Sequence, residues 1–400
     1  MDFKINKRCL IIWISFFLIT MDESLFFIEI GINTILSCIG YFLLLYNVYL
    51  NYITIEYKNR SLFKFLFLII FLFNIGIILQ PTLEGLSKIR LIFSTIILAS
   101  IAIMPEGYIR NFREIRSGAY GILFAIFISI LLAIYAGISL EGVSYEGILG
   151  TVAFNGGLDN KNFFAAALIG CFSGIYFYYK FEKNNRLDLC FLFFIIVILI
   201  TTNSRSGYIL FIIFILLCNY NIFLRIKSSQ RKYILRGLFI ILFSILIYIY
   251  NEYALNSETY MYRINGIINW VDYYVEDYFH IIFGAAEMAF RDSGNTYNEN
   301  IRSILGWNGS TELVLLNIFL KNGFMGFLGY SLIIIRIFFK MNKMKNKINI
   351  ITVRSLIITL LISSLTDAYM VNVHYVFGMF YYFCIAGILG MKDIYNEKNR

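Results

Sequence analysis

Apolar runs of about 20 residues follow one another along most of this 400-residue chain. Each run is long enough to cross a bilayer. In lipid every backbone polar group must bond inside the run, which for a lone segment only a helix allows. The runs fall at about 9–27, 31–50, 62–80, 89–105, 118–138, 162–180, 187–202, 207–224, 234–252, 312–335, 350–367 and 374–391. Residues are 59% hydrophobic and only 15% charged, a composition that cannot cover a soluble globule of this size with polar groups. The expected fold is all-α and polytopic, a single integral membrane domain over residues 1–400 with about 12 transmembrane helices. The first run is interrupted by Asp22 and Glu23 and ends without a small-x-small cleavage site, so it reads as an uncleaved anchor.

The segments between runs test that reading. With the N-terminus placed inside, most of the 34 Lys and Arg fall in cytoplasmic segments. The exceptions are Lys88, Arg90, Lys161, Arg205, Arg263, Arg291, Arg302 and Lys321. Such asymmetry orients a polytopic protein, here with both termini in the cytoplasm. It also accounts for the net charge of +9 without nucleic acid. The six cysteines lie in or beside apolar runs with no CxxC spacing, so they read as small apolar residues rather than a disulfide or zinc framework.

Three outward segments then stand out. Residues 139–161 form a Gly-rich loop that ends at Asp159, Asn160 and Lys161. Residues 252–311 make the one large extracytoplasmic loop, expected to be partly helical because Ile264, Ile267, Ile268, Val271 and Val275 recur at helical spacing. The third is the heptad of Thr201, Thr202, Asn203, Ser204, Arg205, Ser206 and Gly207, which alone joins two apolar runs. An arginine this close to hydrocarbon is costly and usually faces a wet cavity or an anionic partner. Arg205 has no acid within ten residues and lies on the side poor in basic residues, so anchoring does not explain it.

The long loop is acidic, with Arg263, Arg291 and Arg302 set singly among its acids. A guanidinium matches diphosphate oxygens in a bidentate way that an ammonium does not. Pairing with a neighbour is the plainer account of Arg291, which adjoins Asp292. Glu312 opens an apolar helix after Asn308, Gly309, Ser310 and Thr311. There it either complements the helix dipole or serves as a base with a raised pKa. His280 and His374, the two histidines, are both outward, where lone histidines are more often structural. No Asp-x-Asp pair, phosphate loop or dinucleotide fingerprint occurs, so neither a metal nor a cofactor is expected.

Four pieces, in order, resemble the O-antigen polymerase/ligase family of bacterial membrane glycosyltransferases, over roughly residues 150–335. Asp159 through Asn162, Phe163, Phe164 and Ala165 looks like the family's Asn-x-Phe-Ala entry to a span. Thr202 to Gly207 looks like its Thr-x-Ser-Arg-Ser/Ala-Gly signature. Arg263, Trp270 and His280 to Gly284 are similar to the start of its large periplasmic loop. Glu312 through Gly323 and Gly326 is similar to the helix after that loop. The family's ligases usually carry His-Asn where this chain has Glu312 and Leu313, a departure that favours a polymerase.

The resemblance implies transfer of a growing glycan from a polyprenyl diphosphate to the terminal sugar hydroxyl of a second lipid-linked repeat, at the bacterial cytoplasmic membrane. Arg205 and Arg263 would hold the leaving diphosphate, and Glu312 would orient or deprotonate the acceptor hydroxyl. Asn162, Ser204, Ser206, Trp270, His280, Arg291 and Arg302 would contact substrate. Membrane lipids, a chain-length regulator and a flippase are the implied partners. A ligase differs only in the acceptor. A lipid-linked glycan flippase or other transporter would instead place polar residues at mid-span, where this chain shows only isolated candidates such as Asn74.

Overall fold

The computed structural model describes residues 6–52, 70–75, 85–103, 109–143, 152–220, 268–272, 275–284, 314–364, 367–371 and 375–391, with a few isolated positions between them. The chain is mostly helical. Its elements are α1 (Lys7–Met21), α2 (Leu25–Ile30), α3 (Asn33–Tyr52), α4 (Gly85–Ile103), α5 (Phe112–Ala136), β1 (Glu141–Val143), β2 (Val152–Phe154), α6 (Lys161–Phe181), α7 (Arg186–Thr201), α8 (Arg205–Cys218), α9 (Tyr278–Phe283), α10 (Val314–Asn342), α11 (Lys347–Ser363), a 3₁₀ turn (Ala368–Met370) and α12 (Val376–Gly390). Four of them, α3, α5, α6 and α10, are long and apolar enough to cross a membrane.

Two expected spans come out differently. The run 9–27 is not one helix: α1 stops at Met21, Asp22 to Ser24 form a turn, and α2 starts at Leu25. The run 312–335 extends to Asn342 and is broken at Gly323, whose φ of 61° and ψ of −160° no helix contains. The Gly-rich loop carries a short antiparallel pair, with Glu141 opposite Phe154 and Val143 opposite Val152. The run 234–252 lies, apart from isolated positions, outside the described residues.

Helices α6 and α12 form the buried centre. Every residue of α6 from Phe164 to Ile175 is buried, and every residue of α12 from Val376 to Ile388. Between helices in lipid the hydrophobic effect adds little, so close approach depends on small residues and polar links. A Cβ on Gly121 of α5 would stand 2.3 Å from the Trp13 carbonyl oxygen of α1, and one on Gly174 of α6 would stand 2.7 Å from Ala119. The outer helices turn apolar side chains away from protein. In α7 only Asp188, Leu192, Ile195 and Leu199 are buried, while Phe193, Phe194 and Val197 are exposed.

Paired contacts fix the helix directions. Arg8 of α1 meets Glu114 of α5 at 2.9 Å, and Ser24, just beyond α1, meets Ser129 of α5 at 2.9 Å, so α1 and α5 run parallel. Lys180 of α6 reaches the Cys218 carbonyl at the end of α8, whereas Asn162 at the start of α6 meets Ser204 at the start of α8. The bundle thus has an Arg8 end and an Asp22 end.

At the Arg8 end Arg116 is more than an orienting charge. Its guanidinium donates to Asp188 Oδ1 at 2.7 and 3.0 Å, and the Tyr120 hydroxyl donates to the same oxygen. The Arg116 group also lies over the Tyr120 and Tyr178 rings, at 4.9 and 4.5 Å. Asp188 is fully buried, so removing it strands a cation among aromatic rings. Asp188→Ala should cost about 3 kcal/mol of stability, read as an earlier midpoint in detergent unfolding. An unchanged midpoint would make the pair dispensable.

Candidate functional site

The Asp22 end gathers four segments that are distant in sequence. The heptad is the join between α7 and α8. Thr202 closes α7, and Asn203 turns the chain with a φ of 49°, the only positive φ at a non-glycine among the described residues. Asn is among the few non-glycine residues that enter that region; its side-chain amide here donates to the distant Val152 carbonyl at 3.3 Å, which ties the turn to β2. Ser204 then caps α8, its Oγ accepting from the Gly207 amide at 3.2 Å.

The same Ser204 hydroxyl donates to Asn162 Oδ1 at 2.8 Å and lies 3.2 Å from the Ser206 hydroxyl. Asn162 sits in the first turn of α6, whose cap is Asn160. Gly207 lets the two helix starts close up, since a Cβ there would approach Ala165 Cβ at 2.8 Å. Two helix N-termini therefore lie side by side, with Lys161 and Arg205 at their first positions, both partly exposed. Two dipole ends and two cations make this corner favourable for an anion.

The residues before α6 tie that corner to the turn after α1. Asn155 Oδ1 accepts from the Gly157 amide, and Gly156 and Gly157 turn with φ of 62° and 74°. The Asp159 amide donates to the Glu23 carbonyl and the Leu25 amide to the Gly157 carbonyl, both at 2.9 Å. This clasp carries Asp22 and Glu23 into the protein, where each is 4% exposed.

Glu23 Oε1 accepts from the Val376 amide at 2.6 Å, at the start of α12. The α12 cap residue, Tyr375, offers no side-chain bond of its own, so Glu23 acts as cap from another segment. The second Glu23 oxygen, Oε2, is buried with no hydrogen-bond partner among the described residues.

Beside Glu23 stand Asp367 and Tyr369, 5% and 1% exposed, on the segment between α11 and α12. The Tyr369 hydroxyl likewise has no hydrogen-bond partner among the described residues. Burial raises its pKa well above the ordinary value, helped by Asp367, Glu23 and Tyr375. Phe163, next to Asn162, joins the two halves: its ring is 4.1 Å from that of Tyr375 and 6.0 Å from that of Tyr369.

Of the expected site residues, Asn162, Ser204, Arg205 and Ser206 are together. Trp270 and His280 sit against α10. The Trp270 ring stacks on Phe319 at 5.2 Å and is 5% exposed, so that face is occupied by protein. His280 Nδ1 is 2.5 Å from Asp277 Oδ2, inside the cap of α9, and that contact holds the Asp277 carboxyl below its usual range. Arg263, Arg291, Arg302, Glu312 and His374 lie outside the described residues. Sequence reasoning treated Asp22 and Glu23 only as flaws in the first span and passed over Asp367 and Tyr369. Two successive acids inside an apolar run were the signal available, since intramembrane acids usually mark function. Among the described residues no group of three or more His, Cys, Asp and Glu could hold a metal ion.

No family model, curated protein or solved structure matches this chain.

Proposed function

We propose that this chain is a polymerase. It joins polyprenyl-diphosphate-linked oligosaccharide repeats into an O-antigen, capsular or exopolysaccharide on the outer face of the bacterial cytoplasmic membrane. One observation carries the reading: the starts of α6 and α8 are joined through Asn162 and Ser204, with Lys161 and Arg205 at the head of each helix. Such a corner suits a diphosphate held at the lip of the bundle, where a lipid tail can stay in the bilayer. It is made from the two motifs most like those of the O-antigen polymerase/ligase family. In the same reading about 12 spans cross the membrane with both termini inside, which puts the Asp22 end outside.

The reaction balances without a redox partner. The acceptor hydroxyl oxygen attacks the anomeric carbon of the donor sugar, and the bond from that carbon to the diphosphate oxygen breaks. The diphosphate leaves with the electron pair. Arg205, with Arg263 from the long loop, neutralises the charge that builds on it, and the hydroxyl proton passes to a carboxylate. A ligase reading keeps every step but changes the acceptor.

A transporter reading gains from one feature, the break in α10 at Gly323 with Lys321 and Asn317 buried beside it at 2% exposure each. The two classes part in a simple assay. Purified protein in liposomes, given lipid-linked repeat units and no ion gradient, should yield a ladder of polymer. Movement of intact repeats across the bilayer with no ladder would overturn the polymerase reading.

A further inference from the structure

Glu23 and Tyr369 come from opposite ends of the chain, yet they meet at the Asp22 end: Glu23 holds the Val376 amide, and the ring of the preceding Tyr375 is 6.3 Å from that of Tyr369. Each has a buried oxygen with no hydrogen-bond partner among the described residues: Glu23 Oε2 and the Tyr369 hydroxyl. Leaving either atom unbonded costs about 1–3 kcal/mol, and native structures rarely tolerate two such atoms close together. An incoming hydroxyl answers both, donating to the carboxylate and accepting from the phenol.

We infer that Glu23 and Tyr369 form the acceptor site of the transferase, the Glu23 carboxylate taking the proton of the attacking sugar hydroxyl and the Tyr369 phenol holding its oxygen. This rests on the glycan-transfer reading above. Phe163 and Tyr375 stand beside these two groups, packed on each other, and both are only partly buried. The parts of their rings left exposed offer apolar surface to a sugar. Phe163 adjoins Asn162, which bonds Ser204, so the acceptor pocket and the diphosphate corner share one helix turn of α6. The Val376 amide holds Glu23 Oε1 and leaves Oε2 as the oxygen without a partner among the described residues. After attack, the glycosidic bond has formed and the diphosphate has left. The proton on Glu23 then returns to solvent before the next round.

The charge form decides the pH behaviour. A base works only when ionised. Wild-type polymer formation should therefore rise with pH as Glu23 loses its proton. Glu23→Gln keeps an oxygen to accept from Val376 but cannot take a proton. It should lower the rate roughly 100-fold and flatten the rise. Tyr369→Phe removes one oxygen and should lower the rate about 10-fold, with the rise kept.

The assay uses full-length protein in liposomes with lipid-linked repeat units, over a pH series, and binding of a non-transferable polyprenyl diphosphate as the second readout. Both variants should bind that diphosphate like wild type. A folded Glu23→Gln protein that polymerises at the wild-type rate with the wild-type pH rise overturns the inference, as does loss of the rise in Glu312→Gln alone. If Glu23→Gln does not fold, Tyr369→Phe decides: an unchanged rate overturns the inference. Failure of wild type to form any ladder instead sinks the polymerase reading itself.

Discussion

Arg205→Lys should reduce polymer formation by about 100-fold or more while the protein stays folded and in the membrane. The change keeps the positive charge, so a site that needed only bulk potential would barely notice. The proposed corner needs more. Its amides and its guanidinium must meet the oxygens of one diphosphate at fixed angles, and a planar fork holds two oxygens where an ammonium holds one. The loss should appear mainly in the maximal rate, because charge on the leaving group is greatest as the bond breaks. Chain length of glycan from a deletion strain carrying the variant gives the simplest readout: single repeats in place of long chains. Wild-type chain length and amount would remove Arg205 from the reaction and take the anion corner with it.

Gly323→Ala should damage the fold severely. Its φ of 61° with ψ of −160° lies where essentially only glycine goes, a cost of about 1–3 kcal/mol for any other residue. The added carbon would also stand 2.5 Å from the Gly284 amide nitrogen and 2.5 Å from the Ile282 carbonyl oxygen. Both are backbone atoms that no side-chain rotation can move aside. The total should exceed about 3 kcal/mol, enough to empty the membrane of folded protein in a marginally stable chain. Gly170→Ala makes the control: in the middle of α6 its new carbon meets Phe380 at 3.7 Å and Ile122 at 3.9 Å, ordinary contact distances. Membrane level and detergent melting should fall for the first and hold for the second. Equal behaviour of the two would mean that the meeting of Gly284 with Gly323 does not shape the α9–α10 junction.

Much of the helical framework was legible as residue order because lipid leaves the backbone one solution. Runs such as 31–50, 118–138 and 162–180 became α3, α5 and α6 within a few residues. The heptad was legible for the same reason: Ser204 has the chemistry of a cap and Gly207 the size for close packing, and both act locally. Even so, residue order misjudged 9–27, where it weighed apolar content above the pull of Asp22, Glu23 and Ser24 toward a turn. It also missed the break at Gly323, because glycine permits both a tight helix contact and a reversal, and only the facing Gly284 selects between them.

The sequence by itself determined that this chain is a set of apolar helices and that Arg205 stands at the junction of two of them. Tertiary structure alone decided which polar groups share a pocket. Glu23 and Val376 are 353 positions apart and meet at 2.6 Å, while Asn162 and Ser204 meet across two helix starts. Helical periodicity reports the face of one helix, but it carries no record of which other helix that face will meet. These groups meet because α1, α6, α8 and α12 bring their polar ends to the same side, and that depends on packing between helices rather than on any one of them.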